Sequence, residues 1–326
     1  MKQRVLVLGA DEYVGRRVIA ALAASDWAEP VACVRRPVQL HDNVRQVAVD
    51  ITDRIAVARA LSAVDAAVNC VAGAPARILG GARALSVALD TRGGDRVRVV
   101  HFSSMVVYGP ARGAVDETQP VAEGMGGYAG ARVGAERLLA GRDGVVTLRP
   151  GCVYGPGSPH WSQRIARLLR ARRIGDLGAA GDGNSNLVYI DDVLAAVRTS
   201  LLAPASQVAN GPVYNLAMAH APDWNRYFLE YARALGAVPL RRVGARRLQL
   251  ETHVAAPALK VAQIGLPLVG VSVPPPIPPS LKRLWSQDMR LVSKRAEDTL
   301  GLDWTPLAQG VAACAAADGR HAGLAT

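Results

Sequence analysis

Apolar residues follow two rhythms along the first half of the chain. Val5 to Leu8 is an unbroken apolar run, suited to a strand covered on both faces, and Gly9 ends it without a side chain. Gly15, Val18, Ile19 and Leu22 then recur at helical spacing, so the stretch reads as strand, tight loop, helix. The alternation continues. Pro30 to Val34, Val44 to Val49, Asp65 to Val71 and Val97 to Phe102 read as further strands; Asp50-Ile51-Thr52-Asp53 should cap one helix, and another runs from about Ala76 to Leu89. Strands alternating with helices over the first ~150 residues predict a doubly wound parallel sheet. Further on, Ile165, Leu168 and Leu169 among arginines predict an amphipathic helix over Trp161 to Ile174. Val254 to Val273 is apolar but interrupted by Pro257, Lys260, Gln263 and Pro267, so it is not a membrane span. Pro274 to Pro279, broken only by Ile277, predicts a stiff extended linker.

The first loop carries the first candidate chemistry. Helix-N-terminal amides pointing back at such a loop suit a phosphate, as in a dinucleotide-binding unit. Its glycine pattern is incomplete, because Glu12 stands between Gly9 and Gly15 where a middle glycine would let the backbone approach a pyrophosphate. Two glycines after a strand fit an unliganded tight turn equally well. Glu12 either turns away, towards Arg16 one helical turn on, or blocks the loop. The second strand ends in Arg35-Arg36, where an acidic residue would hold the ribose of NAD and arginine suits the extra phosphate of NADP.

Composition narrows the classes. With 326 residues, half of them hydrophobic and a fifth charged, the chain has material for one large or two modest folded domains. The net charge of +11 is nearly all scattered arginine; without a basic stripe or interleaved aromatics it argues for acidic or phosphate-bearing ligands, not nucleic acid. Cys33, Cys70, Cys152 and Cys314 lie far apart, and His41, His101, His160, His220, His253 and His321 form no ligand pair, which points to reduced thiols and no metal site. No export signal is visible at the N-terminus, so the expected location is cytoplasmic.

A set of motifs then becomes specific: His101-Phe102-Ser103-Ser104-Met105-Val106-Val107-Tyr108-Gly109, Asp116-Glu117-Thr118, Tyr128 with Arg132 and Glu136, and Leu148-Arg149-Pro150-Gly151-Cys152-Val153-Tyr154-Gly155-Pro156-Gly157. Val188-Tyr189-Ile190-Asp191-Asp192, Val213-Tyr214-Asn215, Ser293-Lys294 and Leu300-Gly301-Leu302-Asp303-Trp304-Thr305-Pro306 continue the series. In order and spacing the whole chain resembles the extended short-chain dehydrogenase/reductase family, whose members are NAD(P)-dependent epimerases, dehydratases and reductases. The resemblance implies a Rossmann-type domain over 1–156, rejoined by 187–215, and a smaller substrate-binding domain from 157–186 and 216–326. It implies cofactor contacts at Gly9, Asp11, Tyr13, Val14, Gly15, Arg35, Arg36, Asp50, Ile51, Cys70, Val71, Ala72, Tyr128, Arg132, Pro150 and Val153, with NADP(H) preferred over NAD(H) because of the two arginines.

In that family a tyrosine is the acid/base, a serine orients the substrate oxygen, and a lysine four residues after the tyrosine lowers the phenol's pKa and holds the nicotinamide ribose. Tyr128 and Ser104 occupy the first two places, and Arg132 stands in the third. Spacing of four keeps a cation on the face of Tyr128, although Arg132 would equally pair with Glu136 on a solvated face, with Tyr128 packed under the cap. The family's polar helix start after the fourth strand reads Ala76-Arg77-Ile78-Leu79-Gly80-Gly81, without its asparagine. The expected function is an NADP(H)-preferring oxidoreductase acting on a small, fairly apolar ketone or secondary alcohol. Two alternatives stand beside it: a catalytically degenerate member serving as a nucleotide sensor or scaffold, motivated by Glu12, Arg77 and Arg132, and a sugar-nucleotide epimerase or dehydratase, for which an arginine before Val188 is missing. A small-molecule substrate, no stable membrane insertion and a homodimer complete the expectation.

Overall fold

The computed structural model of the chain describes residues 2–40, 44–91, 97–259 and 275–323, with backbone only for 320–323. Its centre is a seven-stranded, wholly parallel sheet. The strands are β1 (Gln3–Leu8), β2 (Ala28–Val34), β3 (Arg45–Ala48), β4 (Ala66–Asn69), β5 (Arg98–Phe102), β7 (Val145–Pro150) and β10 (Val213–Leu216), in spatial order β10-β7-β5-β4-β1-β2-β3. The order reverses direction beside β1, the doubly wound arrangement expected from the alternating pattern. At such a switch point the carboxyl ends of the strands leave a crevice for a ligand.

The alternation of side chains along β1 builds both layers. Val5 and Val7 face a core shared with Val18, Ile19 and Leu22 of α1 (Tyr13–Ala23) and with Val193, Ala196 and Val197 of α6 (Ile190–Leu202). Leu6 and Leu8 face the opposite core, against Val57 and Leu61 of α2 (Arg54–Ser62), Ile78 and Leu85 of α3 (Pro75–Thr91), and Ala135 and Leu139 of α4 (Gly127–Leu139). All four β1 side chains are buried, and at about 1.5–3 kcal/mol per buried aliphatic side chain this strand fixes the sheet between its helices. Asp53 caps α2 as expected, its Oδ1 accepting from the amides of Ile55 and Ala56 at 2.9 and 3.1 Å.

A third core is built largely on aromatic side chains. Tyr154, Tyr189, Trp224, Tyr227, Phe228, Tyr231 and Trp285 pack ring against ring, with centroids 5.4 to 6.1 Å apart. This core leans on the main sheet through the short parallel pair β8 (Cys152–Tyr154) and β9 (Leu187–Tyr189) and through β6 (Gly113–Val115), which pairs with Met289–Leu291.

The helix expected over Trp161 to Ile174 differs in form. It begins as a wide turn, Pro159–Gln163, and is α-helical only over Arg164–Arg170. Arg172 takes a left-handed φ of 52°, and the Arg173 amide returns to the Leu168 carbonyl at 3.0 Å, closing the helix early. The Arg173 guanidinium is then drawn inward to Glu251. Most of the apolar stretch ending at Val273, together with Pro274 and His41, lies outside the described residues. No helix among the described residues is long and apolar enough to cross a membrane.

Candidate active site

The carboxyl ends of β1, β4, β5 and β7 open into a cleft of about 520 Å³. It brings together Tyr13, Val14, Cys70, Ala72, Ser104, Tyr128, Arg132, Pro150 and Val153, which are separated by up to 140 residues in the sequence. The remaining expected contacts lie outside the lining. Arg35 and Arg36 are exposed past the end of β2, and Asp50 follows β3. The amide and hydroxyl of Thr52, then the Arg35 and Arg77 guanidiniums, hold the Asp50 carboxyl below the usual carboxylate range. Ile51 and Val71 have side chains buried in the core beneath α2 and α3, so only their backbone is available to a ligand.

The loop after β1 is packed closely by its two glycines. Gly9 has φ of 73°, and a Cβ there would stand 2.9 Å from the Val71 amide nitrogen; one on Gly15 would stand 2.1 Å from the Gly9 carbonyl oxygen. These glycines bring α1 hard against the end of β1. Glu12 is the N-cap of α1 but makes no side-chain cap, which leaves the first amides of the helix without a side-chain partner. Its carboxylate does not turn to Arg16, the alternative considered from sequence. Arg16 is occupied by the carbonyls of Asp11 and Gln39 at 3.0 and 2.9 Å. Glu12 reaches instead to Arg77, in the first turn of α3, at 3.0 Å, and Asp11 lies 3.5 Å from the same guanidinium.

Two of the residues expected to be catalytic, Tyr128 and Arg132, stand at the start of α4. Tyr128, in the first turn, lines the cleft and is 39% exposed, whereas Arg132 one turn later is 4% exposed. Arg132 Nε donates to the Tyr128 hydroxyl at 3.0 Å, and a terminal nitrogen donates to the Phe102 carbonyl at 2.6 Å. Its guanidinium carbon lies 5.1 Å from the Tyr128 ring centroid. The alternative pairing of Arg132 with Glu136, over a buried Tyr128, is therefore not what the chain does. Glu136 belongs to Arg149, in a buried pair with contacts at 2.6, 3.0 and 3.2 Å.

Beneath this site runs a polar network built from the motif residues. Arg149 donates to the Tyr108 hydroxyl at 2.8 Å, Tyr108 donates to Asn215 Oδ1 at 2.7 Å, and the Asn215 amide donates to Glu117 at 2.6 Å. Asp192 likewise accepts from the amide and hydroxyl of Thr305 at 3.1 and 2.6 Å. Much of the sequence signature therefore holds elements together, and only part of it faces the cleft.

Ser104 Oγ caps the short turn Met105–Tyr108, accepting from the Val106 amide at 3.4 Å. Ser103 also lines the cleft; its hydroxyl is buried with no hydrogen-bond partner, a donor that sequence reasoning did not single out. His101 lies behind it, with Nδ1 3.1 Å from the Asn69 amide nitrogen. Burial, reinforced by the Arg132 charge, pushes His101 down to about 3, so it is neutral at physiological pH. Burial raises the Tyr13 phenol well above its ordinary value, and its hydroxyl donates to the Pro156 carbonyl at 3.3 Å. Among the described residues no group of three His, Cys, Asp or Glu side chains is placed to hold a metal ion.

Across Val106, Trp161 and Leu284 the cleft continues into a groove of about 800 Å³. Arg112, Arg164 and Arg283 line it against the single carboxylate of Asp288.

With this geometry in view, the chain matches the model of the NAD dependent epimerase/dehydratase family over residues 5–217. It is 30% identical over 144 residues to Protein YeeZ of Escherichia coli. The match spans 44% of this chain and about half, 47%, of the length of that curated relative. Solved structures cover nearly all of the chain. MoeE5 in complex with UDP-glucose and NAD superposes with a TM-score of 0.71 at 21% identity, covering 98% of this chain and 99% of its own. UDP-glucose 4-epimerase from Thermotoga maritima with UDP-glucose gives 0.72 at 16% identity, with coverage of 98% and 99%. UDP-glucuronic acid 4-epimerase from Bacillus cereus, in complex with UDP-glucuronic acid and NAD, gives 0.71 at 15%, again with 98% and 99%. At these identities the superpositions establish the fold.

Proposed function

The chain belongs to the NAD dependent epimerase/dehydratase family, and on that premise we propose that it is an NADP(H)-preferring oxidoreductase acting at a secondary alcohol or ketone carbon. Tyr128 is the acid/base, Ser104 the orienting donor, and Arg132 the cation in the place of the usual lysine. The observation that carries this reading is the 3.0 Å hydrogen bond from the buried Arg132 to the Tyr128 hydroxyl in the floor of the cleft. The hydrogen bond from Arg132 fixes the Tyr128 oxygen at the cleft, where it can take the proton of a substrate hydroxyl and return it. The Phe102 carbonyl holds the guanidinium where it is, and arginine keeps that charge at every working pH.

The residues present fit a nicotinamide dinucleotide. The Gly9 and Gly15 cradle and the uncapped start of α1 would hold its diphosphate, Arg35 and Arg36 a 2′-phosphate, and the lining from Cys70 to Ala72 and from Pro150 to Val153 its remainder. When bound, such a group supplies the hydride acceptor and donor. In this reading 1–156 and 187–215 serve the cofactor and 157–186 and 216–326 the substrate, the division that the sequence resemblance implies.

The substrate class favoured by the geometry is an extended anion, a sugar nucleotide. Three arginines line the groove that continues the cleft, and they offer the diphosphate contacts that the segment before Val188 does not. The small apolar ketone is the second reading; it rests on Val14, Phe102, Met105, Val153 and Trp161 around Tyr128.

Calorimetry with NADPH and NADH, followed by turnover of UDP-sugars and of simple ketones, tests the proposal. Tyr128→Phe is expected to lower turnover by about 10²–10⁴ and, because it leaves the Nε of the buried Arg132 without its partner, to lower the melting temperature modestly. Binding without turnover of either class would move the chain to the sensor reading. No binding of either cofactor at millimolar concentration would end the proposal.

A further inference from the structure

Resting on the dinucleotide reading above, we infer that Glu12 and Arg77 form a compensated pair that replaces the missing middle glycine of the phosphate loop, Arg77 cancelling a carboxylate that would otherwise repel the diphosphate. Three observations carry it. Glu12 lies where the loop turns, its amide donating to the Gly9 carbonyl at 3.0 Å, and its side chain lines the cleft. Glu12 therefore brings a carboxylate to the cleft from the turn that follows Gly9, where a like charge beside a diphosphate in a partly desolvated mouth weakens binding.

The nearby cation on the same helix, Arg16, is committed to backbone carbonyls, as described above. The cation that meets Glu12 comes from 65 residues away, in the first turn of α3.

Arg77 is also out of place as an ordinary surface arginine. Its side chain is only 21% exposed, and its Nε is buried with no hydrogen-bond partner. Burying a guanidinium in this way is unfavourable unless its charge is met, and here Glu12 and Asp11 meet it at 3.0 and 3.5 Å. Glu12 and Arg77 are thus the two halves of one departure from the family pattern. Each alone disturbs the loop, and together they leave its mouth close to the charge balance that glycine would give.

A thermodynamic cycle separates this from a merely structural contact. NADPH and NADH binding is measured by calorimetry for the wild type, Glu12→Gly, Arg77→Gln and the double variant, with a thermal melt of each as a control for folding. Arg77→Gln alone is expected to weaken binding roughly tenfold, because it leaves Glu12 unmatched, and the double variant to return to within roughly threefold of the wild type. Glu12→Gly alone should bind as tightly as the wild type or tighter, with Arg77 then free for the diphosphate. The milder Glu12→Gln, combined with Arg77→Gln, gives the same rescue if the glycine variant fails to fold.

Equal losses from Arg77→Gln in both backgrounds would overturn the inference and leave the cofactor reading standing. Binding only by chains lacking Glu12 would overturn it as well, by showing that the pair closes the site. If no variant binds either nucleotide, the cofactor reading itself fails, and the inference with it.

Discussion

The buried pair of Glu136 and Arg149 should be far more important to stability than its neighbour on the same helix. Their side chains are 9% and 7% exposed, and the guanidinium makes a forked contact with the carboxylate while also donating to Tyr108. Glu136→Gln keeps the shape and removes the charge, leaving the Arg149 guanidinium buried and uncompensated. Breaking one half of such a pair costs about 3–5 kcal/mol. For a chain of this length each kcal/mol moves the midpoint by roughly 2 °C, so the melting temperature should fall by roughly 6–10 °C. Arg137, the next residue, pairs with Glu123 at 3.0 Å, but those side chains are 57% and 85% exposed. Glu123→Gln should therefore leave the midpoint nearly unchanged, since solvent screens the pair. Replacing both buried partners, with Glu136→Leu and Arg149→Met together, should recover part of the loss, because no unpaired charge is left behind. Differential scanning fluorimetry at constant pH and salt is sufficient to measure all three variants against the wild type. Equal shifts for Glu136→Gln and Glu123→Gln would refute the argument that burial sets the strength of these pairs.

Other measurements follow from the same structure. His101, pushed down to about 3 by burial, is neutral in the fold, while the unfolded chain takes up its proton near pH 6.5. Its contribution to stability is complete above that pH and is lost as the pH falls towards 3, on the order of 3–5 kcal/mol; His101→Gln should flatten the acid limb of a pH–melting curve. The four cysteines are free and buried, with Cys33 pushed up to about 12 and Cys314 to about 11 by burial. A thiol reagent at pH 8 should titrate almost none of them until denaturant is added; rapid reaction of the native protein would contradict this. If Arg35 and Arg36 hold a 2′-phosphate, replacing both with alanine should erase any preference for NADPH over NADH in calorimetry, a difference of about 1.5–3 kcal/mol per charge-assisted contact. An unchanged ratio would mark them as surface residues.

The layout of the sheet was legible in the sequence because strand and helix periodicities are local. The run Val5 to Leu8 encodes its own two-sided burial, Asp53 its cap, and the four-residue spacing of Tyr128 and Arg132 their common helix face. What periodicity specifies is a face; it does not specify the neighbour that face meets. Glu136 lies four residues from Arg132 and would pair with it on an isolated helix, yet β7 brings Arg149 alongside and the buried geometry prefers that partner. Glu12 had Arg16 at helical spacing and met Arg77. Tyr108 and Asn215, 107 residues apart, touch only because β5 and β10 flank β7 in one sheet. Tyr154, Tyr189, Trp224, Tyr227, Phe228, Tyr231 and Trp285, unremarkable along the chain, collect into one core for the same reason. Backbone hydrogen bonding and side-chain alternation are decided within a few residues, whereas the partner of a buried charge is decided by which distant segment the packed sheet places next to it, and that choice exists only in the tertiary structure.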